Sequence, residues 1–437
     1  MTRALLWMSL VLLAACPAKS DEKKKDPPSR MRTATMGELA DPDAPTPDPL
    51  AALPVPAAAS DAARDTLVLV VLGSARADHV AWCGGRAHTP FLATLRDAHQ
   101  AVTTCDAIAT TPWDAPAMID LLTGVASSAS DPAVGAEPLP VTLKARGFTS
   151  VLVNTRPQAP TDAWTQSFDA THTAPNARAW RYGGVATAID VALAKTDAKK
   201  PLLLVVVLSD AEDPWAPVPR LRWGRNQDWM SLTRDDGTRD PRAVGLRNGE
   251  LPLDVEDRFR MQLGAGYDHG VELADANTRA VLASLQKSGR DLSKMRLVVV
   301  GDHGAALGER GLIGDAPVTF ESSVRVPLVA VDTAAPTAPL PPLLSTLAVR
   351  GWLLDGVWSA EVPPVALARA NSDGSGRVTM ASTWSSPTAK LTWREGKWES
   401  FDLSTDRDEA DPIAPAEDDP RMLRLAPRVS ASGAAKP

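Results

Sequence analysis

The chain has 437 residues, of which 44% are hydrophobic and 23% are charged. This length allows one large domain or two medium ones with a substantial core, and the composition is that of an ordinary globular protein. The net charge of -7 argues against nucleic acid as the main partner, because binding to phosphates requires concentrated Lys and Arg.

The first 16 residues resemble the signal peptide of a bacterial lipoprotein. Arg3 precedes an apolar run, residues 4–13, that is too short to span a bilayer, and a lipobox-like Leu13-Ala14-Ala15-Cys16 follows. The resemblance implies cleavage before Cys16 and attachment of diacylglycerol to its thiol. The residue after Cys16 is Pro17 rather than Asp, which resembles the pattern in lipoproteins that are sorted to the outer membrane. We therefore expect an exported protein, lipid-anchored in the bacterial cell envelope. The alternative is a plain secretory signal in which Cys16 is incidental.

The composition divides the rest of the chain into four segments. Residues 17–64 are rich in Lys, Asp, Pro and Ala, cannot build a core, and therefore predict a disordered linker. Residues 65–340 are the predicted α/β domain, residues 341–428 a smaller C-terminal subdomain, and residues 429–437 a disordered tail. Cys83 and Cys105 either pair in an oxidising compartment or stay as buried free thiols, and the sequence leaves both open.

Continuous apolar runs recur along residues 65–340, each typical of a strand buried on both faces of a parallel sheet. The runs are Thr66–Leu72, Thr149–Val153, Leu202–Leu208, Leu297–Val300 and Val326–Val331. Segments with helical periodicity lie between them, at Pro90–Ala98, Ala115–Leu122, Gly184–Lys195 and Gly270–Ser288. This alternation predicts an α/β fold with a mostly parallel, doubly wound sheet flanked by helices, whose active site lies at the carboxyl ends of the strands.

The C-terminal segment has a different pattern. Arg377–Ser382 and Ala389–Phe401 alternate between apolar and polar residues, and Gly396 with Lys397 suggests a hairpin-like turn. We therefore predict a small antiparallel sheet plus a helix beside the main domain.

Several short motifs follow one another along the chain. They are Gly73–His79 after the first strand, Thr111–Gly124, Leu208–Trp215, Val300–Gly304 with its Asp-His-Gly, Leu307–Gly311, Glu321–Leu328, and Phe401–Asp406 with Glu409. Together they extend over roughly residues 66–412, and their order is that of sulfatases and related phosphoryl hydrolases. The chain therefore resembles the sulfatase and alkaline-phosphatase superfamily and is expected to share its alkaline-phosphatase-like fold.

The resemblance implies a particular catalytic arrangement. In the family, a divalent cation at the carboxyl edge of the sheet is held by acidic residues from the turn after the first strand and from the Asp-His-Gly loop. The nucleophile is a Thr, a Ser or a formylglycine at the start of a helix, where backbone amides favour an anion. Lys and His side chains bind the ester oxygens and protonate the leaving group.

Many of these positions are substituted in this sequence. The substituted positions are Gly73 for the first-strand Asp, Asp114 for the nucleophile, Met118 for an Arg, Val207 and Glu212 for two His, Arg310 for a His and Asp315 for a Lys. No formylglycine is therefore expected, and Asp302 and His303 alone stand clearly where metal ligands are expected.

Asp114 has three interpretations. As a hard oxygen ligand beside Asp302 and His303, it restores a site for one divalent cation, Ca or Mg. As a nucleophile, it attacks phosphorus the way the carboxylate of an aspartyl-phosphate enzyme does. In the third interpretation there is no ion, and Asp302 with His303 only shapes the loop through hydrogen bonds.

The substitutions favour a membrane-anchored, non-catalytic binding member of the family, a pseudo-sulfatase. Its expected partners are the membrane, through the lipid anchor, and a sulfated or phosphorylated small molecule or glycan. The Trp-rich stretch Trp215–Trp229 either lines a sugar-binding groove, through stacking and cation–π contacts, or is simply a packed loop. The alternatives are an active hydrolase of sulfuric or phosphoric esters with a divalent metal at Asp302 and His303, and a structural envelope lipoprotein.

Overall fold

The computed structural model describes residues 64–98, 101–126, 136–157, 163–176, 180, 184–216, 218, 230–233, 238–359 and 364–430. All of these residues belong to one compact unit. The predicted signal peptide, Cys16 and nearly all of the predicted linker lie outside the described residues, as do residues 431–437 and most of Trp215–Trp229.

A large mixed sheet forms the centre of the protein. Its strands, in chain order, are β1 (Thr66–Leu72), β2 (Val102–Ile108), β3 (Thr149–Asn154), β4 (Ala170–Thr173), β5 (Leu202–Leu208), β6 (Met295–Gly301), β9 (Arg325–Asp332) and β10 (Leu344–Ser345), with a separate two-stranded ribbon of β7 (Ala306–Leu307) and β8 (Ile313–Gly314). The spatial order is β10-β2-β9-β6-β1-β5-β3-β4. Among the described strands of this sheet, β9 alone runs antiparallel to its neighbours. The predicted fold class is therefore confirmed.

Helices cover both faces of the large sheet. The described helices are α1 (Pro90–Ala98), α2 (Asp114–Thr123), α3 (Leu139–Ala145), α4 (Gly184–Leu193), α5 (Pro241–Asn248), α6 (Leu253–Lys287), α7 (Glu321–Val324), α8 (Ala348–Asp355) and α9 (Pro420–Ser430). Alternate residues of β1 point to opposite faces, so Leu67, Leu69 and Val71 pack with α2, α3 and α8, while Val68 and Val70 pack with α1, α4 and α6.

The helix α6 is the longest element in the described part of the chain, with 35 residues. Its Tyr267 hydroxyl donates to Ser74 O and accepts from Arg76 N, so the helix holds the loop that follows β1. Within the described residues, no helix combines the length and the apolar character needed to cross a membrane.

The small C-terminal sheet is antiparallel, as predicted. It contains β11 (Val365–Arg369), β12 (Val378–Ser386), β13 (Ala389–Arg394) and β14 (Lys397–Asp402), and α9 packs against β12 and β13. Gly396 lies in the predicted turn between β13 and β14 with a φ of 86°. Upstream of this sheet, β10 pairs with β2, and α8 packs against α2 and β6, so residues 344–355 join the large sheet.

A buried lysine connects the two sheets. Lys390 on β13 is fully buried, and its Nζ lies 2.7 Å from Glu409 Oε1 and 3.1 Å from Glu321 Oε1, and donates to Thr319 O at 2.6 Å. We call Lys390, Glu321 and Glu409 the lysine cluster. Two glutamates from motifs far apart in the sequence thus form ion pairs with the same lysine.

Cys83 and Cys105 form a disulfide, which decides between the two alternatives that the sequence left open. Cys105 lies on β2, and Cys83 lies in the loop between β1 and α1. The bond therefore ties a strand of the large sheet to the segment that follows β1.

Candidate functional site

The Asp-His-Gly loop follows β6 at the carboxyl edge of the sheet. Asp302 is buried, and its Oδ1 accepts hydrogen bonds from Ser74 N at 2.9 Å and His303 N at 2.7 Å. A Cβ on Gly304 would overlap Ser322 O, so only glycine permits this close approach of the two backbones. The loops after β6 and β1 are thereby joined through a single carboxylate.

Asp114 is the first residue of α2, where the helix N-terminus favours a carboxylate. Its Oδ1 lies 2.7 Å from His303 Nε2, and His303 Nδ1 lies 2.8 Å from Gly304 O. A carboxylate and a carbonyl can only accept, so both ring nitrogens are donors and the imidazole is protonated. Burial alone would lower the pKa of His303, but Asp302, followed by Asp315 and Asp114, raises that pKa well above its usual value.

Arg156 lies at the centre of the site. It follows β3 by two residues, and its Nη2 lies 3.0 Å from Asp114 Oδ1 and 2.9 Å from Asp302 Oδ2. The same Nη2 also contacts Glu212 Oε1, to which Nε donates at 2.8 Å. The site therefore contains a cation that the sequence motifs did not reveal. The position just after a buried strand was the available signal, since the carboxyl ends of parallel strands meet at one edge.

Gly73 leaves the space that Arg156 and Glu212 occupy. A Cβ at position 73 would overlap Glu212 Oε1 and lie 2.7 Å from Arg156 Nη2. The position expected to carry the first-strand Asp therefore has no room for a side chain while this ion pair is present.

The outer part of the site is acidic. Arg156 and Glu212 have side-chain exposures of only 10% and 14%, whereas Asp114 and Asp315 have 36% and 35%. Burial would raise the pKa of Asp114, but Arg156 and His303 lower it to about 2. Burial, together with the nearby carboxylates of Asp114 and Glu212, raises the pKa of Asp315 to about 7 although His303 opposes the shift. Solvent therefore meets carboxylates first, and the cations lie behind them.

The remaining substituted positions have structural contacts elsewhere. Met118 and Val207 belong to the core on one face of the sheet. Arg310 stacks over the ring of Phe320 at 4.0 Å and donates to the backbone of Glu409. None of these residues supplies a described contact to Asp114 or Arg156.

Comparison with known proteins identifies the family. The sulfatase family model matches residues 65–338, which is more than half of the chain. The chain belongs to the sulfatase family. No curated protein matches its sequence.

Solved structures related to the sulfatase family have the same fold. The protein BT4656, solved in complex with its substrate D-glucosamine-2-N,6-O-disulfate, has a TM-score of 0.60 and 14% identity, with 84% of this chain and 97% of that chain covered. The putative sulfatase yidJ from Bacteroides fragilis has a TM-score of 0.56 and 16% identity, with coverages of 84% and 94%. An alkaline phosphatase superfamily protein from Vibrio parahaemolyticus has a TM-score of 0.55 and 15% identity, with coverages of 86% and 88%. These likenesses establish the fold.

Members of the sulfatase family typically bind a divalent cation, and two groups of described side chains have donor atoms within 4.8 Å of one another. The groups are Asp114, Glu212 and Asp302, and Asp114, His303 and Asp315. The first does not fit a cation, because the Arg156 guanidinium already lies against its carboxylates. The second fits a cation only if His303 gives up the proton on Nε2, because both nitrogens of His303 face oxygen acceptors. The structure brings together the predicted ligands Asp114, Asp302 and His303, and it adds Arg156 among them.

The arrangement restricts the chemistry of Asp114. Its Oδ1 contacts both His303 Nε2 and Arg156 Nη2, so two neighbouring cations stabilise the negative charge of the carboxylate and weaken it as a nucleophile. The cations of the site are therefore paired with its own carboxylates, and its outer surface presents hydrogen-bond acceptors to solvent.

Proposed function

We propose that this chain is a sulfatase-family protein that binds a ligand and does not hydrolyse sulfate or phosphate esters. One observation carries the proposal. The residue at the nucleophile position, Asp114, is a carboxylate held between Arg156 and His303, at contacts of 3.0 Å and 2.7 Å. The two cations stabilise the charge of this carboxylate, which makes it a weaker nucleophile than a free one.

The charge of the outer site supports the proposal. An anionic ester would first meet the partly exposed carboxylate of Asp114, which repels it, and the carboxyl group of Asp315, which adds to the repulsion as it ionises above about pH 7. The cations that would offset this repulsion, Arg156 and His303, are buried and already paired with carboxylates. Stabilisation of a developing anionic transition state requires unpaired donors aimed at it, and this arrangement supplies carboxylates instead.

Of the predicted ligand classes, a glycan fits this surface better than a sulfated or phosphorylated small molecule. Sugar hydroxyls donate hydrogen bonds to carboxylates, whereas sulfate and phosphate oxygens only accept them. The relative BT4656 has a sulfated glucosamine as its substrate, which supports a carbohydrate as the class of ligand. A sulfate group on the ligand would then lie away from Asp114 and Asp315.

A hydrolysis assay tests the loss of catalysis. The full chain is incubated with aryl sulfate, aryl phosphate and aryl phosphonate monoesters, with and without added Ca or Mg, and is expected to give no turnover above the buffer. Asp114→Asn removes the carboxylate at the nucleophile position, and Asp315→Asn makes the same charge change on a neighbour as the matched control. Turnover by the unmodified chain that survives in D315N and disappears in D114N would refute the proposal.

An active ester hydrolase is the second candidate function. The clustering of Asp114, His303 and Asp315 donor atoms within 4.8 Å favours it, because a Ca or Mg ion that displaced the His303 proton would have ligands in place. This candidate requires turnover that increases with the added cation and is lost in Asp302→Ala.

We propose further that Cys16 carries a lipid that anchors the protein in the envelope, in the outer membrane. The proposal rests on the lipobox-like Leu13-Ala14-Ala15-Cys16 and on Pro17. Fractionation of cells that express the full chain should place it with the outer membrane, and Cys16→Ala should remove it from that fraction. Equal recovery of both forms from the soluble fraction would refute the anchor.

A further inference from the structure

The Arg156 side chain lies among the carboxylates of the candidate site. Its guanidinium lies at the carboxyl edge of the sheet, against carboxylates supplied by three different elements: the start of α2, the loop after β5 and the loop after β6. A divalent cation in this position would likewise be surrounded by carboxylates and would join acidic residues from separate strands. We propose that the guanidinium of Arg156 is the resident cation of this site and makes a divalent metal unnecessary.

The contacts of Arg156 match this role. Nη2 lies within 3.0 Å of Asp114 and 2.9 Å of Asp302, and Nε donates to Glu212 at 2.8 Å. Guanidinium is planar and always charged, and it offers several donors in a fixed geometry, so it satisfies several carboxylates at once. An arginine thus supplies the positive charge and the orientation that these acidic side chains require when they are buried.

The neighbouring substitutions are complementary to Arg156. Gly73 has no side chain, and a Cβ there would overlap Glu212 Oε1 and lie 2.7 Å from Arg156 Nη2. Glu212 in turn supplies a carboxylate that contacts Nη2 of the guanidinium, as Asp302 does, and also accepts from Nε. The three positions therefore form one unit: an arginine, a carboxylate that pairs with it, and a glycine that leaves space for both.

His303 completes the arrangement without acting as a metal ligand. Its Nδ1 faces Gly304 O at 2.8 Å, and its Nε2 faces Asp114 Oδ1 at 2.7 Å. A histidine ligand presents a lone pair to its metal, but here each nitrogen directs a proton at an oxygen that only accepts. In this arrangement both ring nitrogens of His303 are engaged by oxygen atoms of the protein.

Metal content of the unmodified protein is the first test. The full chain is dialysed against Ca, Mg, Mn and Zn, freed of unbound ions and analysed for its elements, with Asp302→Asn as the control. We expect far less than one ion per chain, and we expect the Tm to stay the same with EDTA or with added Ca. One ion per chain in the unmodified protein, lost in D302N, would overturn the proposal.

Substitution of Arg156 is the second test. Arg156→Ala leaves the carboxylates of Asp114, Glu212 and Asp302 facing one another, so we expect the Tm to fall by at least about 5 °C. Because those carboxylates then resemble an empty cation site, millimolar Ca or Mn should restore much of the loss. Arg156→Lys keeps the charge but not the several directed donors, and its Tm should lie between the two.

Arg325→Ala is the matched control for Arg156→Ala. Arg325 is also buried and pairs with two carboxylates, Glu321 and Asp106, at a place away from the site. Its loss should lower the Tm without any recovery on addition of Ca or Mn. Equal recovery of both variants, or an unchanged Tm in R156A, would overturn the proposal. If R156A does not fold, the metal content of the unmodified protein and the Tm of R156K decide.

This inference does not depend on the proposed function. Ester turnover that needs no metal would refute the binding function and would leave the role of Arg156 intact. One metal ion per chain in a protein without turnover would refute the role of Arg156 and would leave the binding function intact.

Discussion

Loss of the lysine cluster is expected to weaken the connection between the two sheets. Lys390 is fully buried, and its Nζ lies 2.7 Å from Glu409, 3.1 Å from Glu321 and 2.6 Å from Thr319 O. Lys390→Met keeps most of the volume of the side chain, so the main effect is that two buried carboxylates lose their cation. Removal of one partner from a buried ion pair costs about 3–5 kcal/mol, and we expect K390M to lower the free energy of unfolding by about 4 kcal/mol.

Urea unfolding followed by tryptophan fluorescence measures this loss, with Trp384 as a local reporter because Lys390 Nζ lies 4.8 Å from its ring centre. Lys144→Met is the control, since Lys144 pairs with Asp169 on the surface with 69% of its side chain exposed. A surface pair of this kind contributes about 0–1 kcal/mol. The double variant of K390M with Glu409→Gln should cost less than the sum of the two single changes. If K390M costs no more than K144M, the reasoning from burial is wrong.

Two further changes test the site. Gly73→Asp should lower the free energy of unfolding by about 1–3 kcal/mol or more, because its Cβ overlaps Glu212 Oε1; Gly264→Asp, at a position with open space, should cost less in the same thermal melt. Asp315 has a folded pKa of about 7 against an ordinary 3.8, so its contribution to stability is complete below pH 4 and is lost as the pH rises towards 7. Asp315→Asn should therefore gain stability relative to the unmodified chain between pH 4 and pH 7, and a constant difference over that range would contradict the raised pKa.

The strands of the large sheet were predictable because they are continuous apolar runs. β1 and β5 have the predicted bounds, and each of their residues is buried. β2 escaped prediction because its Val102–Ile108 contains Thr, Cys and Asp and is only half-buried over most of its length. α6 begins at Leu253 rather than at Gly270, because its first turns are held by charged pairs such as Arg258 with Asp254 rather than by an apolar stripe.

The site was predictable only where a motif marks it. Asp302 and His303 follow β6 in an Asp-His-Gly sequence, and Asp114 begins α2, so their proximity follows from the topology of the sheet. Arg156 has no family motif around it, so the sequence did not single it out. Its role depends on Gly73 and on long-range packing that places β3 two strands away from β1, with β5 between them. Neither local propensity nor spacing in the sequence encodes that distance.

The space shared by Gly73, Glu212 and Arg156 also affects how this chain can evolve. An acidic residue at position 73 overlaps Glu212, loss of Glu212 takes a partner from Arg156, and loss of Arg156 leaves Asp114 facing other carboxylates. Each of these single substitutions is therefore expected to give a less stable protein. The three residues constrain one another, so several of them must change together before a different arrangement of this site is as stable.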